Sequence, residues 1–175
     1  MFQTRIHGRG GQGVVTAAEM LSVAAFREGR FAQAFPSFGS ERTGAPVVAF
    51  CRIDDKTIRL REPIMQPDAL IIQDPTLLQQ VDVFGGLVPD GYILINTSRN
   101  FSELGLEEFV QGFHAEHLCT VPASEFAAAC PVLRSGPCPG AHPDRCPDCT
   151  PGERSRMAAM QARPYWQRRV KRARH

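Results

Sequence analysis

Six residues constrain this chain more than any other stretch: Gly8-Arg9-Gly10-Gly11-Gln12-Gly13. They follow a short β-prone run, residues 2–7, and open into an apolar-rich stretch, residues 14–26. The glycines fall at G-x-G-x-x-G spacing, which suits a tight turn from a strand into a helix. Glycine at such a turn tolerates positive φ and lets a ligand approach the main chain. The first helical turn beyond it offers unpaired N–H groups and the positive end of the helix dipole, together a seat for phosphate. A turn that only packs helix on strand is the other reading of the same spacing. A dinucleotide fold would want a second strand ending in an acidic residue about 20 positions after the loop. Here the chain runs instead into residues 31–39, a glycine- and aromatic-rich stretch read as a loop, so NAD binding is not expected.

Further along, strand and helix patterns alternate. Gly29 is placed to end the first helix. Residues 45–53, the turn Asp54-Asp55-Lys56 and residues 57–60 read as a hairpin. Residues 69–73 form a buried-strand pattern, and Asp74-Pro75 starts a helix with an N-cap followed by proline at the first helical position. Residues 92–96 and 117–121 are further strands, with a helix over 103–111 capped by Ser102 between them. This alternation predicts an α/β fold of three layers, a largely parallel sheet with helices on both faces.

Length and charge narrow the classes. The 175 residues suffice for one domain with a real core. No apolar run approaches the roughly 18 residues of a membrane span. The N-terminus MFQTRIHGRGG lacks the apolar stretch of a secretory signal, so a cytoplasmic location is expected, with no membrane partner. The net charge of +2 predicts no nucleic-acid partner, yet it hides a split. Residues 1–130 hold 10 Lys/Arg against 15 Asp/Glu, whereas residues 131–175 hold 10 against 3. The later segment also carries seven prolines and nine arginines, and no helix or strand period survives in it. The expected division is therefore a folded domain over 1–129 and an Arg/Pro/Cys-rich tail over 130–175 that is too poor in apolar residues to order itself.

Two longer strings sharpen the meaning of the glycine loop. GRGGQGVVTAAEML is followed by AQAFPSFGSERTGAPVVAF and later by QDPTLLQQVDVFGGL. Together they resemble the gamma subunit, or gamma domain, of the 2-oxoacid:ferredoxin oxidoreductases, of the pyruvate and 2-oxoisovalerate type, over residues 1–129. The resemblance implies an oxidative decarboxylation of a 2-oxoacid to an acyl-CoA, with electrons passed to ferredoxin. It also implies alpha, beta and delta partner subunits, with thiamine diphosphate between alpha and beta and iron–sulfur clusters in beta and delta. The residues agree with a non-catalytic share of that reaction. Cys51, Cys119 and Cys130 are too scattered to hold an iron–sulfur cluster, and no thiamine diphosphate signature is present.

For this chain the resemblance implies a structural role beside the active site and a share in holding coenzyme A. That ligand's pyrophosphate and 3′-phosphate suit a glycine-rich helix start. The expected contacts are Gly10, Gly11, Gln12 and Gly13, with Arg9 as a charge partner. Ser37 adds a hydroxyl and Arg42 a planar cation. An ordered loop in a subunit interface, with Glu41 and Arg42 paired to each other or to the partner, explains residues 36–42 equally well. Asn96-Thr97-Ser98 ends a strand on the ligand-binding side of such sheets, where helix capping serves as well. Asp74 reads as an N-cap, Cys51 as a small core residue, and His7 as a histidine satisfied by the backbone; His114 and His117 show no partner pattern.

The tail supports two readings. Cys138, His142, Cys146 and Cys149 could furnish four zinc ligands, with C-x-x-C spacing between the last two. The proline-rich arm and the lack of flanking apolar residues argue against a zinc-stabilised core. The resemblance implies a chain that continues past Ala129 with an Ala/Leu-rich helix, so the family's C-terminal helices are expected to be missing here. The abrupt change near residues 126–131 reads instead as a frameshift in a GC-rich gene. Two functions stand beside the subunit reading: a stand-alone phosphate- or nucleotide-binding module, and a truncated, inactive remnant.

Overall fold

The structure, a computed structural model, describes residues 1–37 and 43–129. The chain divides into two units, Met1–Ala123 and Ser124–His175. Arg42 and the four tail ligands Cys138, His142, Cys146 and Cys149 lie outside the described residues.

Strand β1 (Phe2–Arg9) lies inside a six-stranded sheet of order β2-β3-β1-β4-β5-β6. Its companions are β2 (Phe31–Pro36), β3 (Pro46–Asp54), β4 (Ala69–Ile72), β5 (Tyr92–Asn96) and β6 (Leu118–Val121). The pairs β1–β4, β4–β5 and β5–β6 are parallel, while β1–β3 and β2–β3 are antiparallel. The α/β expectation holds, with an antiparallel wing added.

Side-chain alternation assigns the two faces. Ile6 lies opposite Ala49 on β3 and Ile71 on β4, and these face helix α1 (Val14–Arg27). Helix α1 sets Val14, Ala18 and Ala25 into the core and packs against Ile6, Val47, Ala49 and Cys51. The helix ends as the sequence expects. Gly29 takes φ 75°. The N–H of Gly29 donates to Phe26 O at 2.9 Å and that of Arg30 to Ala25 O at 3.1 Å, a Schellman closure.

The opposite face carries Ile72, Ile93 and Ile95, sealed by Leu77 and Val83. It is covered by a 3-10 turn (Pro75–Gln79), by loops, and by the short helix α2 (Glu107–Val110). Both faces are thus covered, but a long helix lies on one of them. The last described element, α3 (Ala123–Ala129), falls almost wholly in the C-terminal unit.

Three expectations need correction. Residues 31–36 are not a loop but the strand β2. Its Ala32 and Ala34 alternate with Gln33 and Phe35, and the Phe35 ring meets Phe50 at 5.2 Å with the Arg52 guanidinium 5.3 Å above it. The predicted hairpin does not form, because β3 takes β2 and β1 as its neighbours. Residues 57–62 are held otherwise, by Arg52 Nη1 donating to Leu60 O at 3.3 Å and Nη2 donating to Glu62 O at 2.7 Å. The helix predicted over 103–111 shrinks to four residues. Gly105 at φ 72° interrupts it, after Asn100 and Glu103 have exchanged side chain-to-backbone bonds of 2.8 Å each way.

Candidate functional site

The glycine loop turns from the carboxyl end of β1 into α1. At Gly8 a Cβ would meet Val14 Cγ2 at 2.6 Å, so this glycine lets helix and strand approach each other. Gly11 and Gly13 serve a different need. Their φ values are 93° and 74°, a region that L side chains rarely adopt, and a Cβ on either would meet no atom of the described residues within 4 Å. Gly13 is the N-cap of α1 and contributes no side-chain cap. The first-turn N–H groups therefore lack intrahelical acceptors. They border an open depression of about 470 Å³ whose lining includes Arg9, Gly10, Gly11, Gly13, Val14 and Thr43. One side of the loop is tied to residues 43–45: Gly10 N–H donates to Ala45 O at 2.9 Å, and Gly44 N–H donates to Gly10 O at 3.1 Å.

Arg9 flanks this depression with its guanidinium heavily engaged. Nε donates to Asp74 Oδ2 at 3.1 Å and Nη1 to Gly44 O at 3.0 Å. Nη2 reaches Thr76 Oγ1 at 2.7 Å and Gln80 Oε1 at 2.8 Å. Gln12 is held from both ends of its amide: Oε1 accepts from Arg9 N at 2.8 Å, and Nε2 donates to Asp74 Oδ2 at 2.9 Å. Asp74 is an N-cap, as its sequence position predicts, with Oδ1 accepting from Thr76 N at 3.0 Å. Desolvation pushes its pKa upward, but the bonds from Thr76 and Gln12 and the Arg9 charge outweigh that, leaving it below the ordinary carboxylate range.

The remaining candidates are dispersed. Ser37 continues the β2–β3 ladder, its N–H donating to Val48 O at 2.8 Å. Asn96 Nδ2 donates to Gln73 O at 2.9 Å, and Thr97 Oγ1 accepts from Arg99 N at 3.1 Å. Cys51 is fully buried, as expected of a core residue, and burial pushes its thiol up to about 12. His7 corrects the sequence reading. Its ring is buried and Nε2 has no hydrogen-bond partner among the described residues. Burial first, and then the Arg5 charge, pushes it down to about 4. His114 and His117 share a partner after all. His117 Nδ1 lies 3.1 Å from Asp90 Oδ1 and its ring 4.1 Å from that of Tyr92, while His114 Nε2 lies 3.8 Å from the same carboxylate. The two histidines share one 3-10 turn at i, i+3 spacing, but Asp90 comes from a separate turn, so no local spacing announces their shared carboxylate.

A glycine loop feeding a helix at the carboxyl edge of a partly parallel sheet defines a protein of the open α/β class. Residues 3–140 match the family described as Pyruvate ferredoxin/flavodoxin oxidoreductase, and the chain belongs to that family. It is 60% identical over 106 residues to pyruvate synthase subunit PorC of Methanosarcina barkeri, a match covering 61% of this chain and 58% of that protein. It is 54% identical over 104 residues to the pyruvate/ketoisovalerate oxidoreductases common subunit gamma of Thermococcus kodakarensis, covering 59% and 56% respectively. The chain therefore spans less than two thirds of the length of these curated relatives. The crystal structure of pyruvate oxidoreductase subunit PORC from Thermotoga maritima superposes with TM-score 0.58 at 37% identity, over 73% of this chain and 65% of that one. A 2-oxoglutarate:ferredoxin oxidoreductase from Magnetococcus marinus shares the fold at 14% identity and TM-score 0.51, over 73% of this chain and 21% of that one. No helix among the described residues is long and apolar enough to cross a membrane.

Proposed function

We propose that this chain is the gamma-type subunit of a pyruvate/2-oxoisovalerate:ferredoxin oxidoreductase, that it helps to assemble the complex without itself carrying out catalysis, and that its glycine loop shares in holding coenzyme A. The observations that carry the subunit reading are the family match over residues 3–140, which includes the loop, and the 60% identity over 106 residues to a pyruvate synthase subunit. Alpha, beta and delta subunits would supply the thiamine diphosphate and iron–sulfur chemistry, and ferredoxin would accept the electrons.

The residues present fit a phosphate group. The main-chain N–H groups of α1's first turn border an open depression, and the positive-φ glycines add no side chain of their own to it. Gly10, Gly11, Gly13 and the first turn of α1 would hold the phosphate, and Gln12 and Arg9 would shape the loop around it. Ser37 and Arg42 belong to the same proposal as outer contacts.

Two experiments test these readings. Tagged chain purified anaerobically from its native host is expected to bring down subunits containing thiamine diphosphate and iron–sulfur clusters; recovery of the chain alone overturns the subunit reading. In the complex, Gly11→Val adds a side chain whose Cβ meets no atom of the described residues, at a φ of 93° that a β-branched residue resists, so it crowds the approach and strains the loop together. It is expected to raise KM for coenzyme A by about tenfold and to change KM for the 2-oxoacid less. Equal changes in both, or none, would leave the loop as a packing turn.

A further inference from the structure

The loop's conformation is controlled from a distant part of the sequence. Asp74 stands 62 residues beyond Gln12 and 65 beyond Arg9, yet one of its oxygens receives both. Its two oxygens carry separate tasks. Oδ1 caps the 3-10 turn through Thr76 N at 3.0 Å and Thr76 Oγ1 at 2.6 Å. Oδ2 takes Arg9 Nε at 3.1 Å and Gln12 Nε2 at 2.9 Å. Gln12 closes the circuit by accepting the Arg9 N–H at 2.8 Å. The ring Arg9–Gln12–Asp74 closes around Gly10 and Gly11, and Gly13 follows it as the N-cap of α1.

We propose that Asp74 is the positioning residue of the glycine loop: its carboxylate, by receiving Arg9 and Gln12 together, holds the loop in the shape that opens the depression at the start of α1. Two consequences follow from the geometry. The Arg9 side chain is a strut, its charge offset by Asp74 and four of its five donors engaged by Asp74, Gly44, Thr76 and Gln80. Recognition of an anion then falls to main-chain N–H groups, whose directions depend on the loop keeping its shape. Loosening the ring would scatter those donors and weaken binding without touching the ligand. Positive-φ glycines make this control necessary, because they give the loop many alternative shapes to lose itself in.

This inference rests on the coenzyme A reading above, and Asp74→Asn tests it. The asparagine oxygen can keep the cap on Thr76, which turns its NH2 toward two other donors, Arg9 Nε and Gln12 Nε2. Hydrogen exchange of the full-length chain is read over the amides of residues 8–16, together with steady-state kinetics of the assembled complex. Asp74→Asn is expected to speed exchange in that segment about tenfold and to raise KM for coenzyme A by a similar factor. The KM for pyruvate and kcat should stay within about twofold of wild type, and Asp74→Glu should recover part of the loss. Gln12→Ala removes one side of the ring at an exposed position and provides the second variant should Asp74→Asn fold poorly; its effect is expected to be smaller and in the same direction. Loop exchange unchanged in Asp74→Asn, or in Gln12→Ala if the former does not fold, overturns the proposal. So does faster exchange with an unmoved coenzyme A KM in a complex where Gly11→Val does raise it. If Gly11→Val leaves that KM unmoved as well while exchange rises, Asp74 keeps its positioning role and it is the coenzyme A reading that fails.

Discussion

A Cβ at Gly8 would stand 2.6 Å from Val14 Cγ2, so the end of strand β1 and the first turn of α1 touch through a missing side chain. Val14 is buried and β-branched, and its methyl group has no room to swing away. Gly8→Ala is therefore expected to lower unfolding stability by about 1–3 kcal/mol, the usual cost of overpacking a tight contact. Urea denaturation of the full chain, wild type against variant, measures it; an unchanged midpoint would mean that α1 can lift off the strand freely.

His7 predicts the acid limb of stability. Its folded pKa, about 4, lies below the ordinary value of 6.5, so the folded state favours the neutral ring. The stabilisation is complete above pH 6.5 and is lost as the pH falls from there toward about 4. The span corresponds to at most about 3 kcal/mol. Arg5 disfavours the protonated ring and Asp82 favours it. His7→Leu removes both the titration and the unpartnered Nε2, and should flatten the stability profile between pH 6.5 and 4 in thermal melts.

Arg5 anchors the far loop of the second face. Its Nη2 donates to Val83 O at 2.9 Å and Gly85 O at 2.6 Å, joining β1 to a segment some 80 residues away. Arg5→Met keeps the aliphatic stem but strands both carbonyls, at a cost of about 2–4 kcal/mol. Faster hydrogen exchange around residues 83–87, together with the lower midpoint, would locate the damage; a uniform loss across the domain would not fit.

Helix α1 turns a second apolar row outward: Met20, Val23 and Phe26 are 68%, 52% and 73% exposed. Without partner subunits this row is expected to drive self-association. Val23→Lys combined with Phe26→Glu should raise the concentration at which the isolated chain stays monodisperse in light scattering, with little change in melting temperature.

The composition of residues 131–175 predicts that cutting the chain after Ala129 changes the melting temperature little, and that zinc does not raise it. A tail that resists protease, or a clear zinc-dependent rise, would revive Cys138, His142, Cys146 and Cys149 as a metal site.

The sequence by itself determined the elements whose signals are local. The bounds of α1, its Gly29 closure, strands β1, β4, β5 and β6 to within a residue or two, and the capping role of Asp74 all follow from periodicity and backbone preferences within a few positions. The glycine loop was legible for the same reason, since its spacing encodes a turn. Tertiary structure alone decided which strands pair. β3 chose β1 and β2 over the adjacent residues 57–60, because Arg52 occupies the carbonyls of residues 60 and 62 and the Phe35 and Phe50 rings meet across the ladder. It also decided that Arg9 is bound to Asp74, and that Asp90 meets two histidines. Such contacts join groups separated by tens of residues, and their formation depends on packing free energies that no local spacing carries.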